Sequence, residues 1–389
     1  MGLLEKKEWK ASFIMGNYEH SKSPKVRYPV DCFEKKIAAL EGGVAAVATS
    51  SGQNANTLAI MNIARSGDHI VAISSLYGGT VSLFSNTLKK MGVEFTFVLP
   101  EASPEELEAA IRPNTKAVFA EVLANPALIV LDIEKMSKVA HKHGLPLIVD
   151  NTFPTPFLCR PFEFGADIVT HSTTKYIDGH ATSVGGIVVE KGGFDWANGK
   201  FPEFVEPDAS YHGMIYTETF PDAPYSVKLR VQWIRDLGTP MMPFNAFMSM
   251  IGVETLHVRM ERHCQNALAL AEFLEQHPKV AWVNYPGLKS SPQYAMAQKY
   301  MPRGASGVLC FGVKGGKEAG EKVMNSLKIA AIVVHVADIR TGVLHPASMT
   351  HRQLSEQELI AAGVSPDLIR VSVGIEHIDD LKADFDQAL

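Results

Sequence analysis

The chain has 389 residues, of which 46% are hydrophobic and 20% charged, and its formal net charge is −5. These values are those of an ordinary globular protein with ample core material, and the length predicts two or three domains. The sequence has no block of basic residues, which argues against a nucleic-acid partner, and no apolar run long enough to span a membrane. The N-terminal sequence MGLLEKKEWK lacks the apolar region of a signal peptide, so we predict a cytoplasmic protein.

The cysteines and histidines give no sign of a disulfide framework or a metal site. Cys32, Cys159, Cys264 and Cys310 are scattered and form no CxxC motif, and the histidines form no HExxH motif. This pattern fits a reducing cytoplasm, and we predict that the protein binds no metal.

The first 42 residues are predicted to form an N-terminal arm. Residues 1–32 are charged and irregular, with the sequence HSKSPK in the middle. The sequence FEKKIAALEGG then places Phe33, Ile37 and Leu40 on one face of a short amphipathic helix, which Gly42 and Gly43 end.

A turn of small residues comes next, between an apolar strand and a helix. The strand Val44–Ala48 leads into Ser50-Ser51-Gly52-Gln53, and the helix follows at once. Such a turn presents free backbone N–H groups and the positive end of the helix dipole, which suits a phosphate group. The alternative is an ordinary helix start capped by Ser50 or Ser51.

The next part of the chain alternates between strands and helices. HIVAI and VEFTFV are predicted strands, and SPEELEAAI is a helix in which Ser103 and Glu106 form a capping box. The strand in KAVFAEVLANPAL ends before Asn125-Pro126, and residues 132–144 form another helix. This alternation predicts a mostly parallel sheet with helices on both faces. Tyr77, in the loop after HIVAI, is either a core aromatic or part of a site.

The stretch from Leu147 to Gly186 is the most informative. Its two apolar runs are predicted strands, Pro146–Val149 and Asp167–Val169. The first is followed by Asp150-Asn151-Thr152 and the second by His171-Ser172-Thr173-Thr174-Lys175. Ligands bind at the carboxyl ends of strands in open α/β sheets, so these polar residues are predicted to converge on one pocket. A pyridine cofactor needs a lysine for a Schiff base and an acid that faces its ring nitrogen. Taken singly, Lys175 could be a solvated charge and Asp150 a helix cap.

The last part of the chain is predicted to form a smaller domain. Residues 187–245 are rich in aromatic and turn residues, and a long helical region then leads to strands near Val280–Tyr285, Gly307–Val313 and Leu368–Val373, with helices from Lys317 and Ser355. Arg370 lies on an apolar strand. A buried arginine needs an anionic partner, which is either a carboxylate of the protein or a ligand.

The motifs DNTF, HSTTKYIDGH and the following GG resemble the Cys/Met-metabolism family of pyridoxal-phosphate (PLP) enzymes, and the resemblance extends from about Phe33 to the C-terminus. It implies the α/β fold of PLP-dependent transferases of the aspartate aminotransferase type (fold type I). We therefore expect an arm over residues 1–42, a large PLP-binding domain over residues 43–245 with a mostly parallel sheet, and a small C-terminal α/β domain over residues 246–389.

The resemblance also implies which residues form the site. Lys175 would carry the cofactor, Asp150 would face the pyridine nitrogen, and Tyr77 would lie flat on the ring; these three are the expected catalytic residues. Arg370 would bind the α-carboxylate of the substrate. The other cofactor-binding residues that the resemblance implies, for the phosphate, the ring hydroxyl and the neighbouring polar groups, are Gly52, Gln53, Ser172, Thr174, Asn125 and Thr152.

The function expected from the resemblance is the synthesis of homocysteine from O-acetyl-L-homoserine and sulfide, a step of methionine biosynthesis. The aromatic insertion over residues 187–245 favours the sulfhydrylases of the family. Methionine γ-lyase and cystathionine γ-synthase share every cofactor residue and remain alternatives, as does a PLP-binding protein of impaired activity. The last alternative arises because family members have a Tyr-x-Arg sequence before the first helix, whereas this chain has HSKSPKVRYPVDC. The family also implies a homotetramer built as a dimer of dimers.

Overall fold

The computed structural model describes residues 28–349 and 365–389, and they form two β-sheets with packed helices. Residues 1–27, which include the HSKSPK sequence, and the helix predicted from Ser355 lie outside the described residues.

The first sheet has seven strands, and the predicted site lies at the carboxyl ends of two of them. Its order is β1-β7-β6-β5-β4-β2-β3; the pairs from β6 to β3 are parallel, whereas β7 is antiparallel to both of its neighbours. The strands in chain order are β1 (Ala45–Thr49), β2 (His69–Ile73), β3 (Glu94–Val98), β4 (Thr115–Glu121), β5 (Leu147–Asp150), β6 (Ile168–Ser172) and β7 (Gly186–Glu190).

Helices cover both faces of this sheet, so its central strands are buried on both sides. Val71, Val118 and Val149 belong to one apolar cluster, whereas Ile70 and Phe119, which alternate with them, belong to another. The helices up to residue 237 are α1 (Tyr28–Glu41), α2 (Gly52–Met61), α3 (Gly78–Ser82), α4 (Pro104–Ala109), α5 (Ile133–Lys142), α6 (Thr155–Leu158), α7 (Pro202–Val205), α8 (Tyr216–Thr219), α9 (Pro224–Lys228) and α10 (Arg235–Leu237). Helices α3 and α9 each continue into a π-helical segment, Leu83–Leu88 and Leu229–Ile234, and single 3₁₀ turns lie at Pro161–Phe164 and Ala209–Tyr211.

Two long helices connect the first sheet to a second, five-stranded sheet. They are α11 (Pro243–Glu254) and α12 (Leu256–Gln276), and they are followed by α13 (Tyr294–Tyr300), α14 (Gly316–Ser326) and α15 (Ile378–Ala388). The second sheet has the order β10-β11-β12-β9-β8. Its strands are β8 (Val280–Asn284), β9 (Val308–Val313), β10 (Ala331–Ile332), β11 (Gly342–Leu344) and β12 (Leu368–Ser372).

The predicted strands are present within one or two residues of their expected ends, except that β6 extends to Ser172. The capping box of Ser103 and Glu106 at the start of α4 is confirmed. The sequence reasoning did not predict β7, β10 and β11. The domain limits at residues 42 and 245 remain predictions.

Candidate active site

Asp150 lies at the carboxyl end of β5, where three donors fix its carboxylate. The backbone N–H and the hydroxyl of Thr152 donate to Oδ1 at 3.0 and 2.5 Å, and the side-chain amide of Asn56 donates to Oδ2 at 3.1 Å. Thr152 also accepts the backbone N–H of Ser172 at 2.8 Å, which ties the ends of β5 and β6 together. The three donors hold the carboxylate of Asp150 in one orientation at the end of β5.

The start of α2 packs directly against the end of β6. A Cβ atom at Gly52 would lie 2.5 Å from the Cβ of Ser172, so only glycine allows this approach. Ser51 caps the helix, because its side chain accepts the N–H of Asn54 at 3.1 Å. The N–H groups of Gly52 and Gln53 precede the first intrahelical bonds, so they have no acceptor within the helix and can bind an anion. The cap and the anion site, which the sequence presented as alternatives, are therefore compatible here.

The two hydroxyl residues predicted at the phosphate differ in their contacts. The Ser172 hydroxyl faces the Gly52 turn and makes no hydrogen bond with the residues that the structure describes. Thr174 instead bonds to the backbone of Gly185, donating to its carbonyl at 3.3 Å and accepting its N–H at 3.1 Å. A role for Thr174 at the phosphate remains a prediction and requires its hydroxyl to exchange partners.

Lys175 lies in a tight turn after β6, and a buried arginine stabilises this turn through hydrogen bonds to backbone carbonyls. Arg259, on α12, donates to the carbonyl of Tyr176 at 2.8 Å and to that of Gly252 at 2.7 Å. Gly179 has a φ of +73°, and a Cβ atom there would lie 2.1 Å from the guanidinium of Arg259. Arg259 was not predicted from the sequence. It could have been identified as a charged residue within the buried stripe of a long helix.

The amine of Lys175 is available for chemistry. It is half-buried and, in the described part of the chain, has no hydrogen-bond or ion-pair partner. Burial, and secondarily the charge of Arg370, lower the pKa of Lys175 to about 8. A fraction of the amine is therefore neutral near pH 7 and can act as a nucleophile or a base.

Arg370 reaches this site from the second sheet. It lies on β12, is buried, and donates to the carbonyl of Val334 at 3.0 Å. Among the described residues, its buried Nε–H has no acceptor and no carboxylate pairs with it. Burial lowers its pKa to about 10. A buried guanidinium with a free N–H and without a protein counter-charge is suited to an anionic ligand.

Tyr77 and Asn125 complete the set predicted from the sequence. The Tyr77 side chain is 50% exposed, so it is not a core aromatic, and its backbone N–H donates to Glu121 at 2.7 Å. Asn125 precedes a cis proline, and its buried Oδ1 has no partner among the described residues. The side chain of Gln53 also makes a hydrogen bond, since the hydroxyl of Thr80 donates to its Oε1 at 3.3 Å.

The structure adds Asn56 and Glu121, which sequence reasoning missed. Asn56 lies four residues after Gly52 and is buried on the inner face of α2, where an apolar residue would be expected. Glu121 is the register neighbour of Asp150 on β4. Burial, followed by the charge of Asp150, raises the pKa of Glu121 well above its usual value. Two features of the sequence could have identified them: Asn56 is a polar residue in the apolar stripe of a helix, and Glu121 is an acid at the end of a buried strand.

The aromatic insertion over residues 187–245 is largely a packing element. Trp196 stacks on Phe204 and Tyr225 at centroid distances of 4.7 and 5.2 Å, and all three rings are buried. The insertion therefore extends the core beside α2 and does not by itself indicate a substrate.

Three comparisons with known proteins agree with each other. The model of the family described as Cys/Met metabolism PLP-dependent enzyme matches residues 13–389. A homocysteine synthase of Schizosaccharomyces pombe is 52% identical over 362 residues, which are 92% of this chain and 84% of that protein. An O-acetyl-L-homoserine sulfhydrylase of Leptospira meyeri is 49% identical over 368 residues, or 92% of this chain and 83% of that protein.

A solved structure confirms the predicted fold. The crystal structure of a putative O-acetylhomoserine (thiol)-lyase from Campylobacter jejuni is 39% identical, has a TM-score of 0.90, and covers 93% of this chain and 86% of its own. That structure contains a pyridoxyl-lysine 5′-monophosphate.

The residues of this chain fit PLP both at its phosphate group and at its ring nitrogen. The Gly52 turn and the Ser172 hydroxyl, which has no partner among the described residues, would supply donors for the phosphate, and the fixed Asp150 carboxylate would supply an acceptor for a protonated ring nitrogen. Lys175, whose amine has no partner among the described residues, follows Ser172 by three positions, and the exposed ring of Tyr77 lies with Gln53 beside Gly79. In residues 28–349 and 365–389, no group of three or more His, Cys, Asp or Glu side chains is arranged to hold a metal ion.

Proposed function

The chain belongs to the Cys/Met-metabolism family of PLP-dependent enzymes, and we propose that it makes L-homocysteine from O-acetyl-L-homoserine and sulfide, with release of acetate. The observation that carries the proposal is the identity of about half the residues, over 92% of the chain, to a homocysteine synthase and an O-acetyl-L-homoserine sulfhydrylase. The site supports it, because an unpaired Lys175 amine and an unpartnered Arg370 N–H lie within electrostatic reach of each other.

The proposed mechanism assigns a task to each side chain. When bound, PLP supplies an electron sink for negative charge that develops on the substrate carbons next to the amino group. Arg370 binds the substrate carboxylate through its free Nε–H and so orients the Cα–H bond. Lys175, with a pKa of about 8, removes the proton from Cα and then moves a proton at Cβ. The Cγ–O bond breaks as acetate leaves, sulfide forms the new C–S bond, and Lys175 returns the protons.

Asp150 and Tyr77 hold the ring in place during these steps. The Asp150 carboxylate holds a proton on the pyridine nitrogen, since an opposite charge at short range favours the protonated form. The exposed Tyr77 ring offers a flat surface for stacking, and its backbone is fixed by Glu121.

Product analysis tests the proposed reaction. The purified, PLP-loaded protein is incubated with O-acetyl-L-homoserine, with and without sulfide, and homocysteine, acetate and 2-oxobutanoate are quantified. We expect homocysteine and acetate in equal amounts with sulfide and little turnover without it. If 2-oxobutanoate forms at the same rate in both reactions, the protein is a lyase and the proposal is wrong.

We further propose that the protein assembles with copies of itself, as a tetramer of two dimers. Helix α11 exposes Phe244, Phe247 and Ile251 at a spacing that places them on one face, with exposed fractions of 66%, 44% and 49%. Val258 at the start of α12 is also exposed and extends this stripe. An exposed apolar stripe of this kind is typical of a protein interface. Light scattering measures the assembly directly, and an active monomer would contradict it.

We also propose that the reaction takes place in the cytoplasm. Cys159, Cys264 and Cys310 are buried and form no disulfide in the described part of the chain, which fits a reducing compartment. None of the described helices is both long and apolar enough to cross a membrane. Fractionation of the cells that produce the protein tests this location.

A further inference from the structure

Two buried carboxyl groups lie on adjacent strands at the end of the first sheet, and their proximity affects which of them carries a negative charge. Glu121 and Asp150 are register partners on the adjacent parallel strands β4 and β5, and they are 8% and 9% exposed. Two carboxylates so close and so buried do not both ionise readily, because each charge opposes the other. The pair therefore has a preferred position for a single negative charge.

Hydrogen-bond donors favour Asp150 as the charged member. Its carboxylate receives the two donors of Thr152 and the amide of Asn56, whereas Glu121 receives one described donor, the backbone N–H of Tyr77. Each donor to a carboxylate stabilises the ionised form. The raised pKa of Glu121 agrees with this assignment, since burial and the charge of Asp150 are its two main causes.

Asn56 is a buried polar residue among the apolar residues of α2 that face the core. It is 2% exposed on the inner face of α2, one helical turn after the Gly52 phosphate turn. Its Oδ1 accepts the hydroxyl of Thr170 at 2.6 Å, which leaves its N–H₂ group facing Oδ2 of Asp150. The reverse orientation of the amide would bring two acceptor oxygens together, so the network permits one arrangement.

We propose that Asn56 is a positioning residue that keeps the negative charge of this carboxyl pair on Asp150, facing the pyridine nitrogen of the cofactor. Asn56 acts through Asp150 and does not itself touch the cofactor. Through Thr80, which lies between Asn56 and Gln53, it also connects the ring end of the site to the phosphate turn. The inference rests on the proposed role of Asp150 at the ring nitrogen but not on the identity of the substrate.

A pair of cofactors that differ only at the ring nitrogen tests the proposal. Apoprotein is titrated with PLP and with deaza-PLP, in which a C–H group replaces the ring nitrogen, and the ratio of the two dissociation constants is measured. A charged Asp150 favours PLP, because only PLP presents a proton there. Damage to packing alone weakens both ligands by the same factor and leaves the ratio unchanged.

Asn56→Leu is the main variant, because it keeps the branched shape of the side chain but removes the donor that faces Asp150. We expect its preference for PLP over deaza-PLP to fall about tenfold, which is the factor for one hydrogen bond to a charged group. Asn56→Ala should shift the preference in the same direction and serves if the leucine variant does not fold. Asn54→Ala is the matched control, since Asn54 lies on the same helix and bonds weakly to Thr239 instead.

Two further results separate the inference from its premise. Asp150→Asn should abolish the preference; if the preference survives, the placement of Asp150 at the ring nitrogen is wrong. If Asp150→Asn abolishes the preference but both Asn56 variants keep the wild-type ratio, the role of Asn56 is refuted and that of Asp150 stands. Neither result depends on whether homocysteine is the product.

Discussion

Replacing Lys175 by methionine should make the apoprotein more stable, although it removes the proposed catalytic residue. The pKa of Lys175 falls from 10.5 to about 8, chiefly because the amine is buried. A change of one pKa unit corresponds to about 1.4 kcal/mol, so keeping the ammonium in the folded apoprotein costs about 3 kcal/mol at pH 7. Methionine retains most of the apolar stem and has no charge to desolvate, so Lys175→Met should recover most of this free energy.

The pH dependence of the stability difference gives this prediction a definite sign. Below pH 8 the amine is charged in both the folded and the unfolded chain, so the full penalty is present. Between pH 8 and 10.5 the wild-type protein releases a proton on folding, and the penalty shrinks as the pH rises. The advantage of the variant should therefore be largest near pH 7 and should have nearly vanished at pH 10.5.

Urea denaturation of the two apoproteins at several pH values measures the difference in the free energy of unfolding. Lys90→Met is the matched control, because Lys90 is exposed and its replacement should change stability by less than about 0.5 kcal/mol. If Lys175→Met is no more stable than the wild type at pH 7, or if its advantage grows with pH, then Lys175 does not hold a desolvated charge and the reasoning is refuted.

Four further predictions concern the cofactor, the ring nitrogen, the substrate and the assembly. Borohydride reduction of the PLP-loaded protein, followed by peptide mass mapping, should place the pyridoxyl group on Lys175; a label on Lys142 or Lys191 would contradict the site. Asp150→Asn should fold and hold PLP at saturating cofactor but lose most homocysteine synthesis, and a rate close to that of the wild type would show that another group holds the ring proton. Arg370→Lys should lower kcat/KM for O-acetyl-L-homoserine by about tenfold or more, because lysine cannot supply the two parallel N–H bonds of a guanidinium; an unchanged value would place the substrate carboxylate elsewhere. Phe247→Asp should reduce the mass measured by light scattering, whereas a substitution at exposed Lys289 should not; an unchanged mass would exclude this face from the interface.

Much of the architecture follows from local patterns in the sequence. The buried strands β2, β4 and β5 are short apolar runs that helical segments separate, and this alternation is sufficient to predict a mostly parallel sheet. The chemistry of the central stretch is also local, since Asp150 and Lys175 each follow a strand whose end can be recognised. The motifs around them were long enough to indicate the family, which the comparisons confirm.

The contacts between distant segments were decided only by the tertiary structure. Asn56 and Asp150 are 94 positions apart, and no sequence spacing indicates that an amide on a helix would meet a carboxylate at a strand end. Likewise, strand register made Glu121 the neighbour of Asp150, and the packing of the two sheets brought Arg370 close enough to lower the pKa of Lys175. The sequence alone therefore determined which side chains were available and on which elements they lie. Their protonation and partners depend on burial and on distances of a few ångströms, which exist only once the sheets and helices have packed.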